Sequence, residues 1–161
     1  MSDFDDRLQK AIARGEKNRE AQAQEEAGRA LTEEESKRLH AQLRLELAEH
    51  IEKCLARLPD HFPGFQMESL VGERGWGAAC FRDDVGFGPG VKKSLYSRFE
   101  MVVRPYSPAH VLEISAKGTV RNKEVFNRMQ YRKLSEADAQ PFREAIDLWT
   151  LEYAEKYAAN R

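Results

Sequence analysis

The pattern of apolar and polar residues changes at Pro59. Before it, residues 3–58 are mostly strong helix formers and contain no proline, whereas all six prolines lie at or after this position. After it, short segments alternate between apolar and polar residues, which is the spacing of β-strands. The chain is therefore predicted to combine a helical N-terminal part with an α+β body.

The main helix is predicted to run from Thr32 to about Leu58. Thr32 opens a Thr-Glu-Glu-Glu sequence that resembles a capping box, and Pro59 would prevent the helix from continuing. The apolar side chains of this segment share one broad face, wide enough to cover a sheet. They are Leu39, Leu43, Leu47, Ile51, Leu55 and Leu58.

Five strands are predicted after this helix, with Gly86 to Gly90 as a loop. Because the connections between them are short, the strands should form an antiparallel meander. A C-terminal helix follows from about Gln140. The predicted fold class is α+β, with an N-terminal helical arm and an antiparallel sheet of about five strands flanked by a long N-terminal helix and a C-terminal helix. Both helices should cover the same sheet face. The predicted strands are residues 65–71, 76–82, 95–104, 110–121 and 125–133.

The chain is predicted to divide into a mobile arm, residues 1–31, and a single α+β domain, residues 32–161. Phe4, Leu8 and Ile12 lie at helical spacing and form a short amphipathic segment. Gly15 then interrupts the pattern, and residues 16–29 offer nothing larger than alanine to bury, which is typical of a solvated tether. We interpret Phe4, Leu8 and Ile12 as a docking element for a protein partner.

Composition and charge exclude several classes of function. The 161 residues carry a net charge of −1, so no overall field favours nucleic acid or a membrane surface. The acidic start lacks the apolar segment of a signal peptide, and no run of apolar residues is long enough to span a bilayer. Cys54 and Cys80 are the only cysteines and form no Cys-x-x-Cys pair, so neither a disulfide framework nor a cysteine-based zinc site is indicated. A cytoplasmic protein without membrane association is predicted.

The most uneven charge lies in residues 92–133, where ten basic residues face three acidic ones. Several of the basic residues are predicted to share one sheet face with a tyrosine, which would suit a phosphate backbone. The alternative is a solvated face on which Glu100 and Glu113 form cross-strand ion pairs. The candidate residues for polyanion binding are Tyr96, Arg98, Arg104, Lys117, Arg128 and Arg132.

A possible metal cluster is suggested by Glu46, His50 and Cys54, which lie four residues apart, with His61 soon after. These residue types bind transition metals. Successive steps along one helix face are about 6 Å, however, so three in a row do not close easily on one ion. A buried thiol and a hydrogen-bonded histidine explain the same positions. No metal or other cofactor is predicted.

Catalytic motifs are absent from the sequence. The glycine-rich segment before Ser94 departs from the Walker pattern, and there is no nucleophile elbow, no His-Glu-x-x-His and no dinucleotide fingerprint. No catalytic residues are predicted. We interpret the chain as a small cytoplasmic, non-catalytic interaction or adaptor protein with a protein partner. The alternative is a polyanion- or RNA-binding module that uses a basic sheet face, and an enzyme ranks third. The partner and the oligomeric state are left open.

Overall fold

The computed structural model describes residues 3–29, 32–88 and 91–160, and it confirms the predicted fold class. Two helices and a short third one precede a five-stranded antiparallel sheet, and a final helix follows it. In chain order the elements are α1 (Asp3–Arg29), α2 (Glu33–Leu55), α3 (Arg57–His61), β1 (Gln66–Gly72), β2 (Gly75–Gly88), β3 (Val91–Val103), β4 (Val111–Val120), β5 (Lys123–Lys133), a 3₁₀ turn (Leu134–Glu136) and α4 (Ala139–Asn160).

The strands lie in meander order, β1-β2-β3-β4-β5, and each is antiparallel to the next. Helix α2 packs over β2 and β3, and α4 packs over β4 and β5. The alternation is clearest in β4, where Leu112 and Ile114 are fully buried while Glu113 and Lys117 point the other way. We call the covered side of the sheet the helix face and the opposite side the open face.

Helix α2 begins as predicted but ends earlier. The side-chain oxygen of Thr32 accepts a hydrogen bond from the amide of Glu35 at 3.1 Å, which caps the first turn. The helix stops at Leu55, and Pro59 lies in the first turn of α3, where a proline is tolerated. Because Pro59 has no N–H, it cannot donate to the main-chain oxygen of Leu55. The thiol of Cys80 donates to that oxygen instead, at 2.9 Å.

Helices α2 and α4 lie side by side and run in the same direction. Glu46 on α2 forms an ion pair with Arg143 on α4. One turn further along both helices, His50 and Cys54 contact Asp147. Because the contacts advance together along the two helices, their N-termini lie at the same end of the sheet.

The core between the helices and the sheet is rich in aromatic rings. The ring of Tyr153 stacks on Phe99, with centroids 4.5 Å apart and planes at 7°. The hydroxyl of Tyr153 donates to the main-chain oxygen of Thr119 at 2.8 Å, so its polar end is also satisfied. Gly118 allows this approach, because a Cβ at that position would lie 2.7 Å from the ring of Tyr153.

The hairpin between β2 and β3 is longer than predicted. Pairing continues through Gly86 opposite Lys93 and through Gly88 opposite Val91, so the predicted loop over 86–90 is wrong in its described part. Pro89 and Gly90 lie outside the described residues. A β-ladder needs only main-chain donors and acceptors, which glycine supplies as well as any residue.

The N-terminal arm is one continuous helix, α1, which passes through Gly15 without a break. The side chains described along it, residues 3–25, are all exposed. The mobility of the arm stays a prediction. The predicted boundary at residue 31 lies outside the described residues.

Candidate functional site

The arm presents an apolar stripe to solvent. The exposed fractions of Phe4, Leu8 and Ile12 are 65%, 46% and 53%, so the residues predicted as a docking element are accessible. They share one side of α1 because their spacing of four residues nearly matches the helical repeat. The surface beside Phe4 and Leu8 is lined by Arg7 and Arg14. An apolar stripe with a basic border therefore runs along the first part of α1.

Four of the six predicted polyanion-binding residues share the open face. Tyr96, Arg98 and Arg104 extend along and just beyond β3, and Lys117 lies opposite Glu100 in the register between β3 and β4. This part of the predicted surface is assembled as expected. Its charge balance, however, depends on the acidic residues around it.

Arg128 and Arg132 lie on the other side of the sheet, so their predicted grouping with Arg98 is wrong. In the register between β4 and β5, Arg128 is opposite Ala116 and Arg132 is opposite Leu112, both of which are buried on the helix face. Charged side chains are tolerated there because β5 is an edge strand, where a long side chain can reach solvent past α4. The contacts of Arg128 confirm that it lies on this side: its guanidinium is 4.8 Å from the ring centroid of Phe126 and 3.8 Å from the carboxylate of Glu152 on α4.

The arginines of the open face are paired with glutamates. Arg98 contacts Glu68 on β1 at 3.0 Å and Glu100, two residues further along β3, at 3.3 Å. Both glutamates lie on the open face. Arg104 contacts Glu113 on β4 at 3.5 Å. The pair of Arg104 with Glu113 is a cross-strand pair of the kind that the alternative interpretation required, whereas Glu100 pairs with an arginine of its own strand. The face is charged but locally balanced, which reduces its attraction for a phosphate backbone.

A shallow depression of about 290 Å³ lies within this face. Leu70 and Val102 contribute its apolar side, and the ion pair between Arg74 and Glu100, 3.5 Å long, lies beside it. The side chain of Arg104 donates a hydrogen bond to the main-chain oxygen of Arg74 at 3.0 Å, which holds the β1–β2 turn against β3.

Met129 and Tyr131 on β5 are large, exposed and on the open face, and they were not among the predicted site residues. Their exposed fractions are 60% and 62%. Met129 lies opposite Ser115, which lies opposite Val102, so this cross-strand row leads from β5 towards the depression. Methionine and tyrosine are enriched at protein interfaces. The sequence does contain one indication of this pair: Met129 and Tyr131 are two residues apart, so they lie on the same face of a strand.

A compact polar cluster joins α2 to α4. The Nε2 atom of His50 and the thiol of Cys54 both donate to Oδ1 of Asp147, at 2.7 Å and 3.2 Å, and the sulfur lies 3.6 Å from Nε2. Burial, with the hydrogen bond to Asp147 and its charge, raises the pKa of Cys54 to about 12. The spacing predicted that His50 and Cys54 would meet. No local sequence pattern indicates that Asp147, 93 residues after Cys54, would join them.

The other two residues considered as metal ligands, Glu46 and His61, do not join this cluster. Glu46 is held by Arg143 on α4. His61 lies on α3 and lines a depression that also contains Cys54 and Leu151. Glu46, His50, Cys54 and His61 therefore do not converge on one point. The group that does converge consists of His50 and Cys54 with Asp147 from another helix.

A second polar network fixes the β3–β4 connection to the start of α2. Tyr106 donates to Glu33 at 2.9 Å, and the ring of His110 contacts the other oxygen of Glu33 at 2.8 Å. The hydrogen bond from Tyr106, and to a smaller extent the one from His110, lowers the pKa of Glu33. His40, which is buried, donates to the main-chain oxygen of Arg104 at 3.1 Å, and burial lowers its pKa.

Comparisons of the chain with family models, with curated proteins and with solved structures found no match in any of the three. Within the described ranges, none of the helices has the combination of length and apolar character that crossing a membrane requires.

Proposed function

We propose that this protein is a cytoplasmic, non-catalytic interaction module whose helix α1 docks into an apolar groove of a protein partner. The observation that carries the proposal is the exposure of Phe4, Leu8 and Ile12 along one side of α1. Removing a large apolar side chain from water contributes about 1.5–3 kcal/mol. A groove that covers all three would therefore gain substantial binding energy, and an amphipathic helix in a groove is a recurring mode of recognition.

The border of the stripe indicates the chemistry of the partner. Arg7 and Arg14 lie beside Phe4 and Leu8 on the surface of α1. An acidic rim on one side of the groove would pair with these arginines and set the direction in which the helix lies. The proposed partner is therefore a protein with an apolar groove and an acidic edge.

The ion pairs of the open face support protein binding over polyanion binding. Arg98 and Arg104, which would contact phosphates, are already engaged by glutamates. The thiols support a non-catalytic function, because burial raises the pKa of Cys54 and Cys80 to about 12 and a thiol in that state is a poor nucleophile. The exposed side chains of Met129 and Tyr131 on β5 offer the partner a second contact.

Site-specific photo-crosslinking in cells that contain the native partner tests this function. A photoreactive residue is placed at Ala11, within the stripe, and in a matched protein at Asp6, on the opposite side of α1. We expect a defined protein adduct from position 11 only, and its loss when Leu8→Asp is added. The proposal is overturned if both positions give the same products, if Leu8→Asp leaves the adduct unchanged, or if the adduct is destroyed by ribonuclease.

A further inference from the structure

We propose that His50, Cys54 and Asp147 form a binding site for one divalent transition-metal ion of the zinc class. Each contributes a ligand atom, and these three atoms lie within 4.8 Å of one another. Thiolate sulfur, imidazole nitrogen and carboxylate oxygen are the three atom types that zinc prefers in proteins.

The spacing of the three atoms is close to that of a tetrahedral metal site. With metal–ligand bonds of about 2.0–2.3 Å, neighbouring ligand atoms around zinc lie about 3.3–3.8 Å apart. The distances here are 3.6 Å between Cys54 and His50, 3.2 Å between Cys54 and Asp147, and 2.7 Å between His50 and Asp147. Two of the three are at or near the required spacing. The third is a hydrogen bond, and a change in the rotamer of the exposed Asp147 would open it.

The ligands are held by the pairing of two helices. His50 and Cys54 lie one turn apart on α2, and Asp147 approaches from α4. The neighbours Ile51 and Ile146 are fully buried, so both helices are fixed in the core beside the site. One turn earlier, the ion pair between Glu46 and Arg143 joins the same helices. The site is therefore largely formed before an ion arrives.

Three protein ligands leave a fourth position open. Cys54 lines a depression of about 460 Å³ together with His61, Thr150 and Leu151, and Asp147 is exposed. A water molecule can complete the coordination from this side, as it does in zinc sites with three protein ligands.

The site loses a proton when it binds the ion. Without an ion, the thiol of Cys54 and the Nε2–H of a neutral His50 both donate to Asp147. Binding forms a metal–sulfur bond and breaks the S–H bond, which releases one proton to water. The imidazole keeps its single proton by moving it to Nδ1, and the carboxylate is already ionised. One proton is therefore released for each ion bound.

Cobalt titration of the full-length protein tests the site, because a tetrahedral Co²⁺–thiolate complex has sulfur-to-metal absorption in the near ultraviolet and strong visible bands. We expect both to appear and to saturate at one ion per chain, and Zn²⁺ to abolish them. Cys54→Ser should remove the sulfur band, and Asp147→Asn should weaken Co²⁺ binding by more than about 100-fold, since even changes outside the ligands weaken binding by about 10- to 100-fold.

Matched controls separate the site from other thiols and acids. Cys80→Ser and Glu49→Gln, which removes an exposed acid of α2, should bind Co²⁺ as the unchanged chain does, and circular dichroism establishes that each variant is folded. Absence of a sulfur band with Co²⁺ in large excess overturns the proposal and leaves a hydrogen-bonded contact between helices. So does a band that persists in folded Cys54→Ser or disappears in Cys80→Ser.

Discussion

The thiol of Cys80 on β2 donates a hydrogen bond to the main-chain oxygen of Leu55, the last residue of α2. That oxygen has lost its usual helical donor, because the residue four positions later, Pro59, carries no N–H. A buried cysteine of the sheet thus completes the C-terminus of a helix that a proline has interrupted.

Replacing Cys80 by alanine should destabilise the protein by about 1–3 kcal/mol, the usual effect of leaving a buried polar group without its partner. The effect should be smaller when Pro59→Ala is already present, because the alanine introduced by that substitution supplies an N–H to the same oxygen. Urea unfolding of the two single variants and the double variant gives the interaction energy, expected at about 0.5–3 kcal/mol. An equal effect of Cys80→Ala in both backgrounds contradicts this role. Cys80→Ser is the control that keeps a donor.

The substitution Gly118→Ala should destabilise the protein by about 1–3 kcal/mol through overpacking. The added Cβ would lie 2.7 Å from the ring of Tyr153 and 2.9 Å from the Cβ of Phe126, in a core where both side chains are buried. Gly72→Ala is the matched control, because no atom lies within 4 Å of a Cβ built there. Thermal unfolding of the two variants measures the difference. Equal melting temperatures would show that the contact with Tyr153 relaxes without cost.

His40 should make stability fall as the pH is lowered. Burial lowers its pKa from the ordinary value of 6.5, and the nearby Arg44 lowers it further, while its hydrogen bond to the oxygen of Arg104 acts in the opposite direction. The neutral ring is therefore favoured in the folded state. Its stabilisation is complete above about pH 6.5 and is lost as the pH falls through the folded pKa.

Urea unfolding between pH 7.5 and pH 5 checks this expectation. A single group changes stability by at most about 1.4 kcal/mol per pH unit. The variant His40→Gln, which keeps a donor for the oxygen of Arg104, should show a shallower dependence over this range. Parallel curves for the two proteins would assign the acid sensitivity to other groups.

Limited proteolysis should cut α1 and leave a folded remainder. The side chains described along α1 are exposed, so the helix receives little tertiary support, and an isolated helix is only marginally stable in water. Trypsin is expected to cleave at Lys17 and Arg19 well before Lys53, which lies on the packed helix α2. Strong protection of the amides of residues 16–29 from hydrogen exchange would contradict a mobile arm.

Binding to single-stranded RNA is expected to be weak and to change little in the double variant Arg98→Glu, Lys117→Glu. Arg98 is already engaged by Glu68 and Glu100. Arg128→Glu, on the helix face, is the control. Fluorescence anisotropy over a range of salt concentrations measures the affinity. Tight binding that falls steeply with salt and is lost in the double variant would favour the polyanion-binding alternative.

The regular elements could be predicted because their patterns are local. The leucine face of α2 and the alternation of β4 indicate which sides are buried, and short connections favour the meander. Strand β5 was ambiguous. Val125, Met129 and Tyr131 share one parity and Phe126 has the other, so the pattern alone places the apolar majority opposite Phe126. In the structure Met129 and Tyr131 lie on the open face, whereas Val125 packs against the core beside the β-bulge. The packing of Phe126 against Phe99 on β3 and Trp149 on α4 decides the orientation.

The candidate sites depend on contacts that no local pattern contains. His50 and Cys54 are neighbours by helical geometry alone, but Asp147 joins them because α2 and α4 pack together. The pairing of Arg98 with Glu68 likewise required the register of three strands. Long-range contacts of this kind follow from the assembled fold and are not encoded in residue spacing.

The parallel arrangement of α2 and α4 gives the body two distinct ends. The arm joins at the N-terminus of α2, which lies at the same end as the N-terminus of α4, whereas α4 extends over 22 residues, about 33 Å, towards the opposite end. A group fused after α4 would therefore be kept away from the root of the arm by the length of the body. A fluorophore or affinity tag at that far end leaves the root of the arm unobstructed, which makes it the suitable attachment point for measuring the arm's encounters.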